Sequence, residues 1–198
     1  GGAVAAAWGS SGGGAPLVVV YPRGRVSQFQ EKQMLERAGP RLLPVAVEGD
    51  FDACQALAKR MLLRGDGGAG WLSANSVSLS RLLPQVGYHA WACAQFGGKG
   101  EEGGPVTLVV PSGNLGNAHA AQLAGIMGAN VGHVRLAFNA NGAALHDHLT
   151  TGRPYSPRPT VRTKSTAMDV GAPSNLVRVR HFMAAPGSPP LSSSQGGL

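Results

Sequence analysis

Only two of the 198 residues are cysteine, Cys54 and Cys93. Their spacing matches no zinc or redox pattern, so a disulfide framework and a cysteine metal site are both excluded. Two small buried thiols are expected. No run approaches the roughly 18 consecutive apolar residues of a membrane span; Leu17-Val18-Val19-Val20 is far too short. The first residues lack a basic region followed by a long apolar stretch, so no secretory signal is expected. Acidic residues are scarce, 10 against 17 basic ones, for a net charge of +7. Nucleic acid is the usual partner of such an excess. Here the arginines are scattered and aromatics make up only 6% of the chain, so there is no stacking platform and no nucleic-acid partner is expected. The six histidines show no metal spacing beyond His146-x-His148, which on a helix point apart and read as surface residues.

Glycine and proline are plentiful, 30 and 14 residues. They gather at Gly9 to Pro16, Gly65 to Gly70, Gly97 to Pro105 and the tail, where loops are expected. Hydrophobic residues make up 43%, enough for a real core. Between the loops, short apolar runs alternate with helix-period segments, which indicates α/β architecture with parallel strands and crossover helices. Helices are expected at Gly2 to Trp8, at Gln28 to Ala38 (stopped by Gly39-Pro40), at Asp52 to Leu63 with Asp50 as cap, and over 77–96, where Pro84 kinks the helix or marks its first turn. Strands are expected at Pro16 to Tyr21, Leu43 to Val47, Val106 to Val110 and Val134 to Phe138. Met34, Met61 and Met127 read as core fillers. From Ala184 onward, Pro-Gly-Ser-Pro-Pro and Ser-Ser-Ser-Gln-Gly-Gly carry no periodicity, and disorder is expected for 184–198.

The segment with the most chemistry in it is Pro111-Ser112-Gly113-Asn114-Leu115-Gly116-Asn117. It follows an apolar run, Val106 to Val110, and precedes a helix-like stretch, His119 to Met127. Strand, glycine turn and helix together offer backbone N–H groups and a positive helix end to a phosphate. Glycine lets the backbone approach because it has no Cβ. A dinucleotide fingerprint is not met: Gly113-x-x-Gly116 lacks the third glycine, and no acidic residue stands about twenty positions on.

Other motifs accompany the loop in a fixed order. Before it stand Val19-Val20-Tyr21-Pro22-Arg23-Gly24-Arg25-Val26-Ser27, Glu48-Gly49-Asp50-Phe51-Asp52-Ala53-Cys54 and Ser73-Ala74-Asn75-Ser76-Val77-Ser78-Leu79-Ser80-Arg81. After it stand Ser165-Thr166-Ala167-Met168-Asp169-Val170 and Pro173-Ser174-Asn175. Taken together, from Gly1 to about Arg180, they resemble threonine synthase, a pyridoxal-phosphate family on the fold type II scaffold. The resemblance implies open, twisted, mainly parallel sheets with flanking helices and with part of the scaffold absent. It implies a partial small domain over 1–70, part of a large cofactor-binding domain over 71–183, and a tail over 184–198 that does not look like the family. In such enzymes the cofactor sits between the two domains.

The resemblance also assigns roles. Ser112, Gly113, Asn114, Leu115, Gly116 and Asn117 would hold the phosphate of pyridoxal 5'-phosphate. Ser76 and Arg81, five apart at a helix start, would grip the substrate phosphate; an N-capping Ser76 with a solvated Arg81 is the alternative. Asn139 and Asn141 match a family Asn-x-Asn-Asp segment in which Gly142 replaces the Asp, and both are taken as loop residues. Thr163, Ser165 and Asp169 are equally suited to a structural hydrogen bond and to a substrate contact. No catalytic residue is assigned, because pyridoxal phosphate chemistry needs a Schiff-base lysine. Of the four lysines, Lys32, Lys59, Lys99 and Lys164, none stands in the family's Phe-Lys-Asp context. The expectation is an internal, inactive piece of a cytoplasmic lyase (plastid, if from a plant). The parent would convert O-phospho-L-homoserine and water to L-threonine and phosphate. The alternatives are a related phospholyase making a 2-keto acid and a non-catalytic anion-binding module.

Overall fold

The computed structural model describes residues 4, 5, 7, 14–64, 70–76, 78–97 and 103–195. The helix expected over Gly2 to Trp8 and the loop at Gly65 to Gly70 lie mostly outside these residues. Two compact units are present, Gly1–Leu72 and Ser73–Leu198.

In the first unit, strand β1 (Leu17–Pro22) lies parallel to β2 (Leu42–Val47), with Val19 opposite Pro44 and Tyr21 opposite Ala46. Helix α1 (Gln28–Leu35) connects them. Its start is a capping box: Ser27 accepts from the Gln30 N–H, and the Gln30 side chain accepts from the Ser27 N–H. It stops at Glu36, three residues before Gly39, so it is shorter than the pattern predicts. Val19, Tyr21, Val26, Met34 and Leu42 pack into one core. Helix α2 (Phe51–Arg64) follows, and the Asp50 carboxylate accepts from the Ala53 N–H at 2.9 Å as the N-cap.

The second unit opens with the long helix α3 (Leu79–Phe96), capped at Ser78 and carrying Pro84 within it. Three strands form one parallel sheet in the order β3 (Val106–Pro111), β4 (Val131–Phe138), β5 (Leu191–Gln195). Parallel neighbours require crossovers. Helix α4 (Gly116–Ile126) connects β3 to β4, and helices α5 (Ala143–Thr151) and α6 (Leu176–Met183) lie between β4 and β5. β4 begins at Val131, three residues earlier than its apolar run suggests.

Strand β5 overturns the expectation of disorder in the tail. Leu191 stands opposite Val134 and Ser193 opposite Leu136. Leu191 packs against the sheet core of Val110, Val134, Leu136 and Val179, and His133 and His146 hydrogen-bond the hydroxyls of Ser192 and Ser193 at 2.7 and 2.8 Å. A β-ladder is made by backbone groups, so serines without periodicity serve when an open strand edge is presented to them. His146 is accordingly half-buried rather than a bare surface group.

Helix α4 is buried on nearly every side. Ala118, His119, Ala120, Ala121, Gln122 and Ala124 are each 2% exposed or less. Small side chains let neighbours close on it from all directions, and its two long polar side chains find partners. Gln122 donates to the Val179 carbonyl at 3.2 Å; the His119 ring lies against Phe182. Met127, expected in the core, is 71% exposed just past the end of α4. Cys54 and Cys93 are both buried thiols without a disulfide, and burial raises the pKa of each.

Candidate functional site: the turn between β3 and α4

Ligands of parallel α/β sheets gather at the carboxyl ends of the strands, and the glycine turn occupies that position on β3. Ser112 continues the strand direction: its N–H donates to the Ala137 carbonyl and its hydroxyl to the Val110 carbonyl, both at 2.8 Å. It is buried and committed to the sheet. Beyond it the chain breaks from the ladder. Leu115, the residue before α4, has φ +60°, a left-handed conformation that costs a non-glycine residue about 1–2 kcal/mol. Its side chain is 2% exposed within the sheet core, and that burial holds the backbone there.

Among the described residues, no backbone hydrogen bond uses the N–H of Gly113, Asn114, Leu115, Gly116, Asn117 or Ala118; the first to be paired is His119, to the Leu115 carbonyl at 2.9 Å. The positive end of α4 lies at the same turn. Such a row of donors at a helix start suits a dianion and needs no lysine.

The asparagine side chains brace the turn. Asn114 Nδ2 donates to the Ser76 hydroxyl at 2.6 Å, and its Oδ1 accepts from the Ser174 N–H at 2.6 Å and the Ser174 hydroxyl at 3.0 Å. Asn117 Oδ1 accepts from Nε2 of the buried His89 at 2.5 Å. His89 is therefore the Nε2–H tautomer. Burial pushes its pKa below the ordinary range, with the Asn117 bond opposing.

Two glycines are dictated by close approach. A Cβ on Gly116 would lie 2.8 Å from the Ser76 Cβ, and one on Gly113 would lie 3.0 Å from the Met168 Cα. Beside Gly113 is a cavity of about 10 Å³, room for one water, lined by Ser112, Asn141, Tyr155 and Met168 among others.

Ser76 thus sits against the turn, although it is not an N-cap; that position belongs to Ser78. Arg81 is exposed on the first turn of α3, and among the described residues no hydrogen bond joins it to Ser76.

A second polar cluster stands at the carboxyl end of β4. Buried Asp169 accepts from Asn139 Nδ2 and Asn141 Nδ2, each at 2.9 Å, and from the Thr163 N–H and hydroxyl at 3.0 and 2.6 Å. Asn139 Nδ2 also reaches Thr163 Oγ1 and Ser165 Oγ at 3.0 Å. These asparagines are more than loop residues: they tie the 161–169 segment to the sheet and set Met168 over Gly113. Gly142 fits because a Cβ there would lie 2.3 Å from the Phe138 Cβ.

Arg178 is the residue that sequence reasoning missed. It stands in the first turn of α6, half-buried, and donates to Asn175 Oδ1 at 2.9 Å and to the Ser76 carbonyl at 3.4 Å. The motif Pro173-Ser174-Asn175 ends two residues short of it. The one signal was a cation in a helix's first turn, where the dipole disfavours it.

No protein-family model matches the chain. Curated threonine synthases of Haemophilus influenzae and Escherichia coli are 39% and 40% identical to it over 170 and 171 residues, 84% of this chain. The chain spans 38% of the length of each. Among solved structures, threonine synthase from Escherichia coli superposes with a TM-score of 0.81 at 35% identity, covering 98% of this chain and 45% of that one. Pyridoxal-phosphate-bound threonine synthase from Brucella melitensis gives 0.70 at 27% identity, covering 98% and 47%.

Proposed function

Because the chain belongs to the threonine synthase family, with the α/β architecture of fold type II, we propose that the β3–α4 turn is the seat of the phosphate of pyridoxal 5'-phosphate. The observation that carries this is the row of backbone N–H groups from Gly113 to Ala118 without an internal partner, at the positive end of α4. Backbone donors at a helix start that the fold leaves without a backbone acceptor suit a phosphate. The donor set fits: it is neutral, rigidly braced, and close to a hydroxyl, Ser76.

The whole protein, in this reading, converts O-phospho-L-homoserine and water to L-threonine and phosphate. The cofactor supplies an electron sink for the carbanions that precede loss of phosphate. This chain's residues do the holding. Gly113 to Asn117 fix the cofactor phosphate through backbone N–H groups, while Asn114 and Asn117 keep the turn open by anchoring it to Ser174 and His89. Ser76 and Arg81 are the pair for the substrate phosphate, the first a hydroxyl beside the turn, the second a guanidinium on a long exposed stem. The partner is a small anionic molecule, and among the described residues no helix is long and apolar enough to cross a membrane. The phospholyase shares scaffold and cofactor, and nothing in the site favours it.

Titration of the chain with pyridoxal phosphate tests the reading. The backbone amide resonances of Gly113 to Asn117 and the ³¹P signal should shift together and saturate. Unshifted amides at millimolar ligand would overturn it. No turnover is expected from this chain alone, because none of its four lysines stands in the family's context; release of phosphate from O-phosphohomoserine would contradict that.

A further inference from the structure

Four side chains from three distant segments form a closed circuit around the turn. Arg178 Nη1 donates to Asn175 Oδ1 at 2.9 Å. Asn175 Nδ2 donates to the Asn114 carbonyl at 3.0 Å. Asn114 Nδ2 donates to the Ser76 hydroxyl at 2.6 Å. The circuit closes where Arg178 Nη1 reaches the Ser76 carbonyl at 3.4 Å. Asn175 is fully buried, so both ends of its amide need partners. Arg178 satisfies one end and at the same time pins the backbone of Ser76, 102 residues away in sequence.

Its position breaks a local rule. A cation in the first turn of a helix opposes the macrodipole, and α6 gains nothing from it. Places where a local rule fails are where a site is being built. Both bonds leave one nitrogen, Nη1, and the planar guanidinium holds its N–H groups in fixed directions, which a freely rotating ammonium does not.

We propose that Arg178 is a positioning residue for the phosphate site: it clamps the Ser76 segment and the start of α6 onto the glycine turn, so that the Ser76 hydroxyl and the turn's N–H groups face the same anion. This rests on the reading of the turn as the cofactor-phosphate seat.

The test is a titration of the chain and its variants with pyridoxal phosphate, followed by ³¹P and amide resonances. Arg178→Met is expected to weaken binding about tenfold, the loss of roughly one net charged hydrogen bond, and to shift the Asn114 side-chain amide. Arg178→Lys should recover part of the affinity, since an ammonium keeps the charge and the donors but lacks the fixed planar geometry. Arg180→Met, an exposed cation on the same helix, controls for net charge and should bind as wild type. Binding by Arg178→Met equal to wild type, with the Asn114 amide unmoved, overturns the clamp and leaves the phosphate seat intact. A wild-type chain that shows no phosphate-dependent shift overturns both. If Arg178→Met fails to fold, Arg178→Gln, which keeps an N–H donor but loses the charge and the reach, decides: full wild-type affinity in that variant overturns the clamp.

Discussion

The side-chain amide of Asn114 donates to the hydroxyl of Ser76 at 2.6 Å, across 38 residues of chain. That bond joins the glycine turn to the segment leading into α3, two stretches that sequence analysis assigned to two different phosphates. The geometry makes them neighbours, so a change at one is felt at the other.

Gly116 is the tightest point of that junction, and Gly116→Ala tests it. The added Cβ would lie 2.8 Å from the Ser76 Cβ and 3.5 Å from Asn175 Nδ2. The Ser76 segment must move, since α4 is packed on its other sides. The expected outcome is a loss of pyridoxal phosphate affinity of tenfold or more, with stability lower by about 1–3 kcal/mol from overpacking. Isotherms and urea unfolding measure the two separately.

Leu115 predicts an inversion of the usual order. Truncation of a buried leucine costs about 2–5 kcal/mol, and in ordinary backbone glycine is worse than alanine by about 0.5–1 kcal/mol. At φ +60° alanine keeps the left-handed cost of about 1–2 kcal/mol that glycine is spared. Leu115→Gly should therefore be no less stable than Leu115→Ala. Urea midpoints of the two variants check this, and an alanine variant clearly the more stable would remove the strain argument.

Acid should loosen the second unit near neutrality. His89 and His119 are both pushed below the ordinary 6.5, chiefly by burial. The unfolded chain then binds protons at a pH where the folded one does not. Stability is full above 6.5 and declines as the pH falls from there towards the depressed folded values. Between pH 7 and 5.5 the wild-type unfolding free energy should drop, and His119→Gln should flatten the slope. An unchanged slope would mean that this ring takes up protons equally in the folded and unfolded chains.

Ending the chain at Pro190 removes β5. The open edge of β4 and the lost burial of Leu191 should cost roughly 1.5–3 kcal/mol, the value of one buried leucine. The truncated chain should also self-associate through the exposed ladder. Sedimentation and urea unfolding measure these effects; a truncated chain as stable and as monomeric as its parent would show that β5 contributes nothing.

What the sequence by itself determined was local or carried by contiguous motifs. The strands are short apolar runs and the helices have periodic faces. The Asp50 cap and the glycine turn after β3 are written in a few adjacent residues, and the order of the motifs identified the family. What only the tertiary structure decided was every relation between segments. Ser112 was counted among the phosphate ligands, but its hydroxyl is spent on the Val110 carbonyl and its N–H on the Ala137 carbonyl of the neighbouring strand. Ser76 meets Asn114 while Arg81 stays in solvent. Asn139 and Asn141 converge on Asp169, 30 and 28 residues away. Arg178 belongs to the circuit only because α6 packs beside the turn. The tail became a strand because β4 had an edge to pair, a property of β4 and not of the serines that pair with it. Hydrogen bonds between distant side chains depend on where packing leaves the donors and acceptors, and no spacing along the chain encodes that.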